Sequence, residues 1–469
     1  MFALTSLTSI HLAALLATLL ATLLAANAQV STEPPKSESA AETRVDSRID
    51  LSRVTTVAEL SSREPIVRGA APNPVARIAL SADEVPVSDA TYRAACDAIS
   101  RGLGFLALRQ SKRGMWFEKE AVEPTDMEPR RRAASVAVTA MALKAFAQAR
   151  ELGDAQVRTR ARNAIDGVLA DPSAMDIVAK GGVGNYVMSA VASGLSAVGD
   201  ADATASSMRA IAWLQREQWD DGEGLASGQD WFGGAGYGNG KRPDLSNTQM
   251  MLDAMHDAGV SADDPAVQRA LHFIERAQNR KASNSAAWAQ TGSGDGGFVY
   301  SPANGGESFA SDAAGEGRYG EKLAVKSLRS YGSMTYAGFK SMLYAGLSQD
   351  DPRVKDALSW ICSHFTFAEN PGLGQQGYFY YIHAMSRALF ASRLEQIQEP
   401  NGTSHHWRSE LVETLRKRQR DDGSWRNDAE RWEESNEDLA TIYAVLALEE
   451  AIKPTRAPVA ELGPHDAKK

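Results

Sequence analysis

The residues able to carry chemistry gather where glycine-rich stretches run into apolar helices. The fullest such stretch runs from Gly233 to Gly259. Its glycines permit irregular turns, and Ser246 or Asn247 is placed to cap a helix bearing Met250, Met251, Ala254 and Met255. Two kinds of chemistry fit polar groups at such helix mouths. In one, Asp230, Asp244, Glu434 or Glu437 supplies acid and base to an exported polysaccharide while Trp231, Tyr237 and Trp432 stack on sugar rings. In the other, a ligand cavity is rimmed by Ser246, Asn247 and Gln249, by Met334, Thr335 and Tyr336, by Tyr378, Tyr380, Tyr381 and His383, and by Glu434 with its neighbours Asn436 and Glu437. Helix N-termini opening on that rim favour an anionic ligand group at the mouth.

The elements that must position these residues are helices. From Ala90 onward apolar residues recur at helical spacing and strand-like alternation nearly disappears. Six pairs follow, each an amphipathic helix and then a more uniformly apolar one rich in Ala, Gly, Ser and Met: 90–110 with 133–152, 158–169 with 185–198, 203–218 with 246–258, 265–278 with 333–347, 352–367 with 377–391, and 407–419 with 438–452. Pro265 and Pro352 each follow acidic residues, a helix start with Pro in the first turn. Small side chains let inner helices approach closely, so the expected fold is all-α, a closed α/α toroid of about six hairpins with inner and outer rings. The long segment from Arg280 to Gly332 fits either a lid or a surface insertion.

Of the 469 residues 43% are hydrophobic and 23% charged, with a net charge of −9, which is globular and argues against nucleic acid as a partner. Residues 1–28 carry an apolar core from Leu12 to Ala26 and a small-x-small pattern at Ala26-Asn27-Ala28, the features of a secretory signal cut before Gln29. The expected location is therefore periplasmic or extracellular; an uncleaved segment would leave the protein membrane-associated. Residues 29–87 read as a disordered linker, 88–452 as the helical domain with no transmembrane segment, and 453–469 as a flexible tail. With only Cys96 and Cys362, a disulfide framework and a Cys-rich zinc site are excluded; the two thiols are either buried or joined in a single bridge.

Three turns between helices share a pattern. Gln110-Ser-Lys-Arg-Gly114-Met-Trp116 and Gln419-Arg-Asp-Asp-Gly423-Ser-Trp425 follow Gln-x-x-x-Gly-x-Trp, and Gln215-Arg-Glu-Gln-Trp219-Asp-Asp-Gly222 does so imperfectly. The pattern resembles the repeat of the terpenoid cyclase and protein prenyltransferase β-subunit superfamily of α/α toroids, over roughly residues 90–452. In that resemblance the glutamines and tryptophans are structural, and function rests on other positions. The cyclases carry an Asp-x-Asp-Asp-Thr stretch whose central Asp is the acid; here the equivalent is Asp244-Leu245-Ser246-Asn247-Thr248, and a serine is no strong acid. Of the prenyltransferase zinc ligands only His383 has a counterpart, the other two positions falling near Tyr331 and Ser333, so no metal or cofactor is expected. Gly372-Leu373-Gly374-Gln375-Gln376 is similar to the thioester motif of complement-type toroids, but Leu373 removes the sulfur.

The leading expectation is an exported toroid that binds an isoprenoid, lipid or other elongated ligand in a central cavity without either ancestral chemistry. A polysaccharide lyase or glycoside hydrolase on the same scaffold and a non-catalytic interaction scaffold are the alternatives.

Overall fold

The computed structural model describes residues 86–118, 128–238, 240–310 and 328–454. The signal, most of the linker and all but the first residues of the tail lie outside these. Two layers of helices alternate along the chain. The outer layer is α1 (Asp89–Arg109), α3 (Ala155–Ala170), α6 (Ala201–Arg216), α8 (Pro265–Ala277), α11 (Pro352–His364) and α13 (Trp407–Arg418). The inner layer is α2 (Pro129–Gln148), α5 (Gly184–Val198), α7 (Leu245–Asp257), α10 (Gly332–Tyr344), α12 (Tyr378–Ser392) and α14 (Glu437–Ile452). A further helix, α4 (Pro172–Lys180), lies between α3 and α5, and α9 (Ala287–Thr291) lies in the long segment after α8; periodicity predicts neither.

Local chemistry accounts for the starts of the outer helices. Asp154, Asp200, Asp264 and Asp351 each accept a first-turn backbone N–H, and Pro265 and Pro352 occupy the first helical turn, where a missing N–H costs nothing. Outer helices bury one face, as α8 does with Ala266, Val267, Ala270, Phe273, Ile274 and Ala277. Inner helices are buried nearly all round, as α14 is from Asp438 to Ala451 except at Tyr443. Cys96 on α1 and Cys362 on α11 are unpaired thiols.

Each inner helix packs on the next in the order α2, α5, α7, α10, α12, α14, and α14 returns to pack on both α1 and α2. One clasp joins neighbouring outer helices. The Gln110 amide donates to the Gly114 carbonyl in its own turn and to the Val157 carbonyl of α3, both at 3.0 Å. Gln218 does the same to Gly233 and Ala266, Gln278 to Gly296 and Arg353, and Gln419 to Gly423 and Ala98. The last of these ties the sixth outer helix to the first by the bonds that tie the first to the second. Two residues after each glycine, a backbone N–H donates to a threonine of the inner helix: Trp116 to Thr139, Ala235 to Thr248, Phe298 to Thr335 and Trp425 to Thr441. The four glycines have φ between +81° and +88°, and a Cβ on any of them would meet a carbonyl oxygen of the adjoining outer helix at 2.5 Å or less.

The clasps correct the reading of the third turn. Gln215 hydrogen-bonds Asp264, and the clasping residue is Gln218, three positions on. The Arg280–Gly332 segment is partly built structure: Val299 packs with Trp288 and Ala289 of α9, and the Tyr300 and Phe309 rings meet tilted with centroids 4.3 Å apart.

Trp425 is fully buried and its indole N–H donates to the Leu415 carbonyl at 2.8 Å. Trp425→Ala should therefore cost about 3–5 kcal/mol in urea unfolding. Gln419→Ala, which removes both hydrogen bonds of the clasp, should cost about 1–3 kcal/mol.

Candidate functional site

All six inner helices, or the residues that lead into them, contribute to one cavity of ≈ 360 Å³. Its apolar wall comes from Ala134, Ala137, Val138 and Met141 of α2, Met250 of α7, Met334 of α10 and Leu439 of α14. Aromatic rings complete it: Tyr186, Tyr237, Tyr300, Phe309, Tyr331, Tyr380, Trp432 and Tyr443. Charged groups are few among the lining residues, namely Glu128, Arg130, Arg131, Glu433 and Glu434.

Of the residues expected at the rim, Tyr237, Ser246, Met334, Tyr380, Trp432 and Glu434 line this cavity. The others do not line it. Trp231 is buried edge-on against Trp219 at 4.7 Å. Asn247 bonds Asp244 and Asn185. Gln249 is 1% exposed and lies between Tyr380 and Lys340. Thr335 is one of the four clasp threonines. Tyr336 packs on Tyr381, whose hydroxyl donates to the Thr366 carbonyl. His383, three residues beyond Tyr380 on α12, is buried beside Tyr443. Adjacent positions on a helix point about 100° apart, so a run of rim residues cannot all face one lumen. Tyr186, Tyr300, Phe309, Tyr331 and Tyr443 line the cavity outside the expected set. Tyr186 carries a signal in the sequence, since it falls in the first turn of the second pair's inner helix.

At four of the six inner-helix mouths, those of α7, α10, α12 and α14, a side chain already supplies the acceptor, which speaks against an anionic ligand group there; α2 and α5 have no side-chain cap. Asp244, not Ser246 or Asn247, is the N-cap of α7: it accepts from Asn247 N at 2.8 Å and Asn247 Nδ2 at 2.9 Å. Asn370 Oδ1 accepts from Ser333 N on α10, so the Gly372–Gln376 turn that Asn370 precedes serves to hold that helix start. Glu434 accepts from the N–H groups of Phe379 and Tyr380 at 3.1 and 2.7 Å and from Asn427 Nδ2 at 2.7 Å, capping α12 from another segment. Burial raises its carboxyl above the ordinary range against those donors. Burial likewise pushes Asp244 up to about 6, opposed by Asn247 and the Tyr300 hydroxyl. Asp244 is fully buried and does not line the cavity.

Further along the same inner helices lies an ionic layer. Lys144 of α2 pairs with Asp257 of α7 at 2.6 Å, and Arg387 of α12 reaches Asp257 at 2.9 Å. Lys340 of α10 donates to Asp253 at 2.7 Å, and Arg387 lies 4.0 Å from Glu450 of α14. Burial lowers Lys340 to about 8, with Asp253 opposing, while Arg387 and Lys144 overcome burial and hold Asp257 well below the carboxylate range. Burial and these three cations push His383 far below its ordinary value, so its ring is neutral and poorly suited to an acid's role. Among the described residues no group of three His, Cys, Asp or Glu side chains is placed to hold a metal, and Tyr331, Ser333 and His383 offer at most one ligand.

These observations define an all-α protein of paired helices whose inner layer surrounds an apolar, aromatic-walled cavity. No family model matches the sequence, and no curated protein is significantly similar to it. Among solved structures it is similar to a variant of the type II terpene cyclase MstE from Scytonema in complex with geranylgeranyl dihydroxybenzoate, at 13% identity over 78% of this chain and 99% of that one, TM-score 0.45. A second MstE variant, with the product merosterolic acid A, is similar at 13% identity, 78% and 99% coverage and TM-score 0.40. A protein from Actinoplanes is similar at 14% identity, 76% and 100% coverage and TM-score 0.30. At such values none of the neighbours' chemistry transfers.

Asp244 gives a pH test. Its folded pKa of about 6 exceeds the ordinary 3.8, so its contribution to stability is full below about pH 4 and is lost as pH rises through about 6. Asp244→Asn should remove that slope. The stability difference between wild type and variant should change by up to about 3 kcal/mol across this window, on top of a pH-independent offset, in chemical unfolding at a series of pH values.

Proposed function

We propose that this protein binds an elongated, mainly apolar ligand, an isoprenoid or other lipid, in the cavity at the mouths of its inner helices. The observation that carries the reading is the composition of the wall: aliphatic, methionine and aromatic side chains drawn from all six inner sectors, with charged groups few. Acid-initiated cyclisation is not part of the proposal. Ser246 stands at the wall where a carboxyl would be needed, and Asp244 is sealed behind it by Asn247. The polysaccharide reading has less support. Of its four carboxyls only Glu434 lines the cavity, where it is committed to capping α12, and Glu437 bonds Arg420. We further propose, from the composition of residues 1–28, that the protein acts outside the cytoplasm. Among the described residues no helix is long and apolar enough to cross a membrane.

Organic extraction of the purified full-length protein should release an isoprenoid or lipid at close to one per chain. Ala137→Trp, which places an indole in the lumen, should abolish that yield while leaving a cooperative unfolding transition. An empty extract, combined with no uptake of added farnesol by the wild type, would overturn the reading.

A further inference from the structure

The lumen has a direction, and α2 sets it. The cavity-lining residues of that helix, Arg130, Arg131, Ala134, Ala137, Val138 and Met141, fall at helical spacing on one stripe. Polarity changes once along the stripe: two arginines stand in the first turn and every later position is apolar. Arg130 is exposed, Arg131 half-buried and Met141 buried, so the arginines mark the mouth and Met141 the closed end. The ten residues from Arg131 to Met141 rise about 15 Å, the length of about three extended isoprene units. The next turn carries Lys144 of the ionic layer, which ends the apolar run.

Arg131 is held at the wall without an acceptor. In the first clasp Trp116 gives its N–H to Thr139 and takes the Ser135 hydroxyl on its carbonyl at 2.7 Å. The next residue, Phe117, is buried with φ +64°, a backbone conformation that costs energy in a residue with a bulky side chain. Its ring centroid lies 4.8 Å from the Arg131 guanidinium carbon, and both residues line the cavity. Among the described residues none accepts a hydrogen bond from the Arg131 side chain or forms an ion pair with it, and its Nε is buried. The other charges of the lining are accounted for. Glu128, Arg130 and Glu433 are exposed and solvated, and Glu434 caps α12. We propose that Arg131 binds the head of the ligand and that this head is a carboxylate: the ligand is a long-chain acid lying along α2, with its carboxylate at Arg131 and its tail toward Met141. The two terminal nitrogens of a guanidinium donate to both oxygens of one carboxylate, and the ring beneath holds that fork flat and partly desolvated. A diphosphate is a poorer match, because Glu128 and Glu433 offset the formal charges of Arg130 and Arg131 and leave the mouth neutral. The proposal rests on the apolar-ligand reading of the cavity and adds the functional group that reading leaves open.

Farnesoic acid and its methyl ester share a chain and a carbonyl and differ in charge, so the pair isolates the head. Dissociation constants for these two and for farnesyl diphosphate are measured at neutral pH by quenching of tryptophan fluorescence. The wild type should bind the acid about tenfold more tightly than the ester, and the diphosphate more weakly than the acid. Arg131→Met should weaken the acid about tenfold and leave the ester within twofold of wild type. Arg131→Gln takes its place if that variant does not fold, and the wild-type preference is a test that needs no variant. An ester bound as tightly as the acid, a diphosphate bound more tightly than the acid, or a variant without a selective loss of the acid would overturn the carboxylate head and leave the apolar-ligand reading standing. Failure of the wild type to bind any of the three probes would overturn the two together.

Discussion

The structure depends on one interaction, a glutamine amide that bonds two carbonyls at once. One carbonyl belongs to the turn the glutamine opens and the other to the next outer helix, so each clasp fixes the turn and the sector spacing together. The glycine four, fifteen or eighteen residues on is obligatory because the turn brings it into contact with that neighbouring helix while φ stays positive. The threonine bond then carries the constraint inward, locking the height of the inner helix to the outer turn. Two sector boundaries, α3 with α6 and α11 with α13, have no such glutamine among the hydrogen bonds of the described residues. The exposed pairing of Arg162 with Asp200 at the first is a weaker tie.

Because the clasps set inner helices to related heights, the helix starts meet around one space and the backbone donors there must be satisfied. The chain does this with its own Asp244, Asn370 and Glu434. That choice determines what the lumen can hold. With the N–H groups at those three starts occupied, the wall there can be aromatic and aliphatic without leaving unpaired polar backbone beneath it. The charges sit instead farther along the same helices, where cation and anion meet with little exposure.

Much of the architecture is legible in the sequence because it is written in local patterns. Six alternations of amphipathic and uniformly apolar helices are visible from spacing alone, and the Gln110 and Gln419 turns are visible because glutamine, glycine and tryptophan fall within seven residues. Gln218 and Gln278 make the same bonds but are hidden, their glycines displaced by insertions. The site is less legible. Helix starts locate the rim, but whether Ser246 or Asn247 faces the lumen depends on helix rotation, which only packing decides. The ionic layer does leave a sign in the sequence: Lys340 and Arg387 are solitary charges in otherwise apolar inner helices, Lys144 stands in an apolar run of another, and a charge in such a place needs a partner from a neighbouring helix.

The ionic layer also sets how this protein can change over evolutionary time. Asp257 answers to both Lys144 and Arg387, and Asp253 to Lys340 and, at 3.5 Å, to Arg387, so deleting Asp257 leaves Lys144 without its ion pair at a cost of about 3–5 kcal/mol. That is a large share of the stability of an ordinary domain, and drift at these positions has to proceed by concerted replacement of several residues on different helices. The wall above obeys no such rule, since Ala137, Met141, Met250 or Leu439 can each be exchanged for another apolar residue alone. The lineage of this chain is therefore free to reshape what the lumen accepts one substitution at a time, while the floor beneath it is inherited as a block.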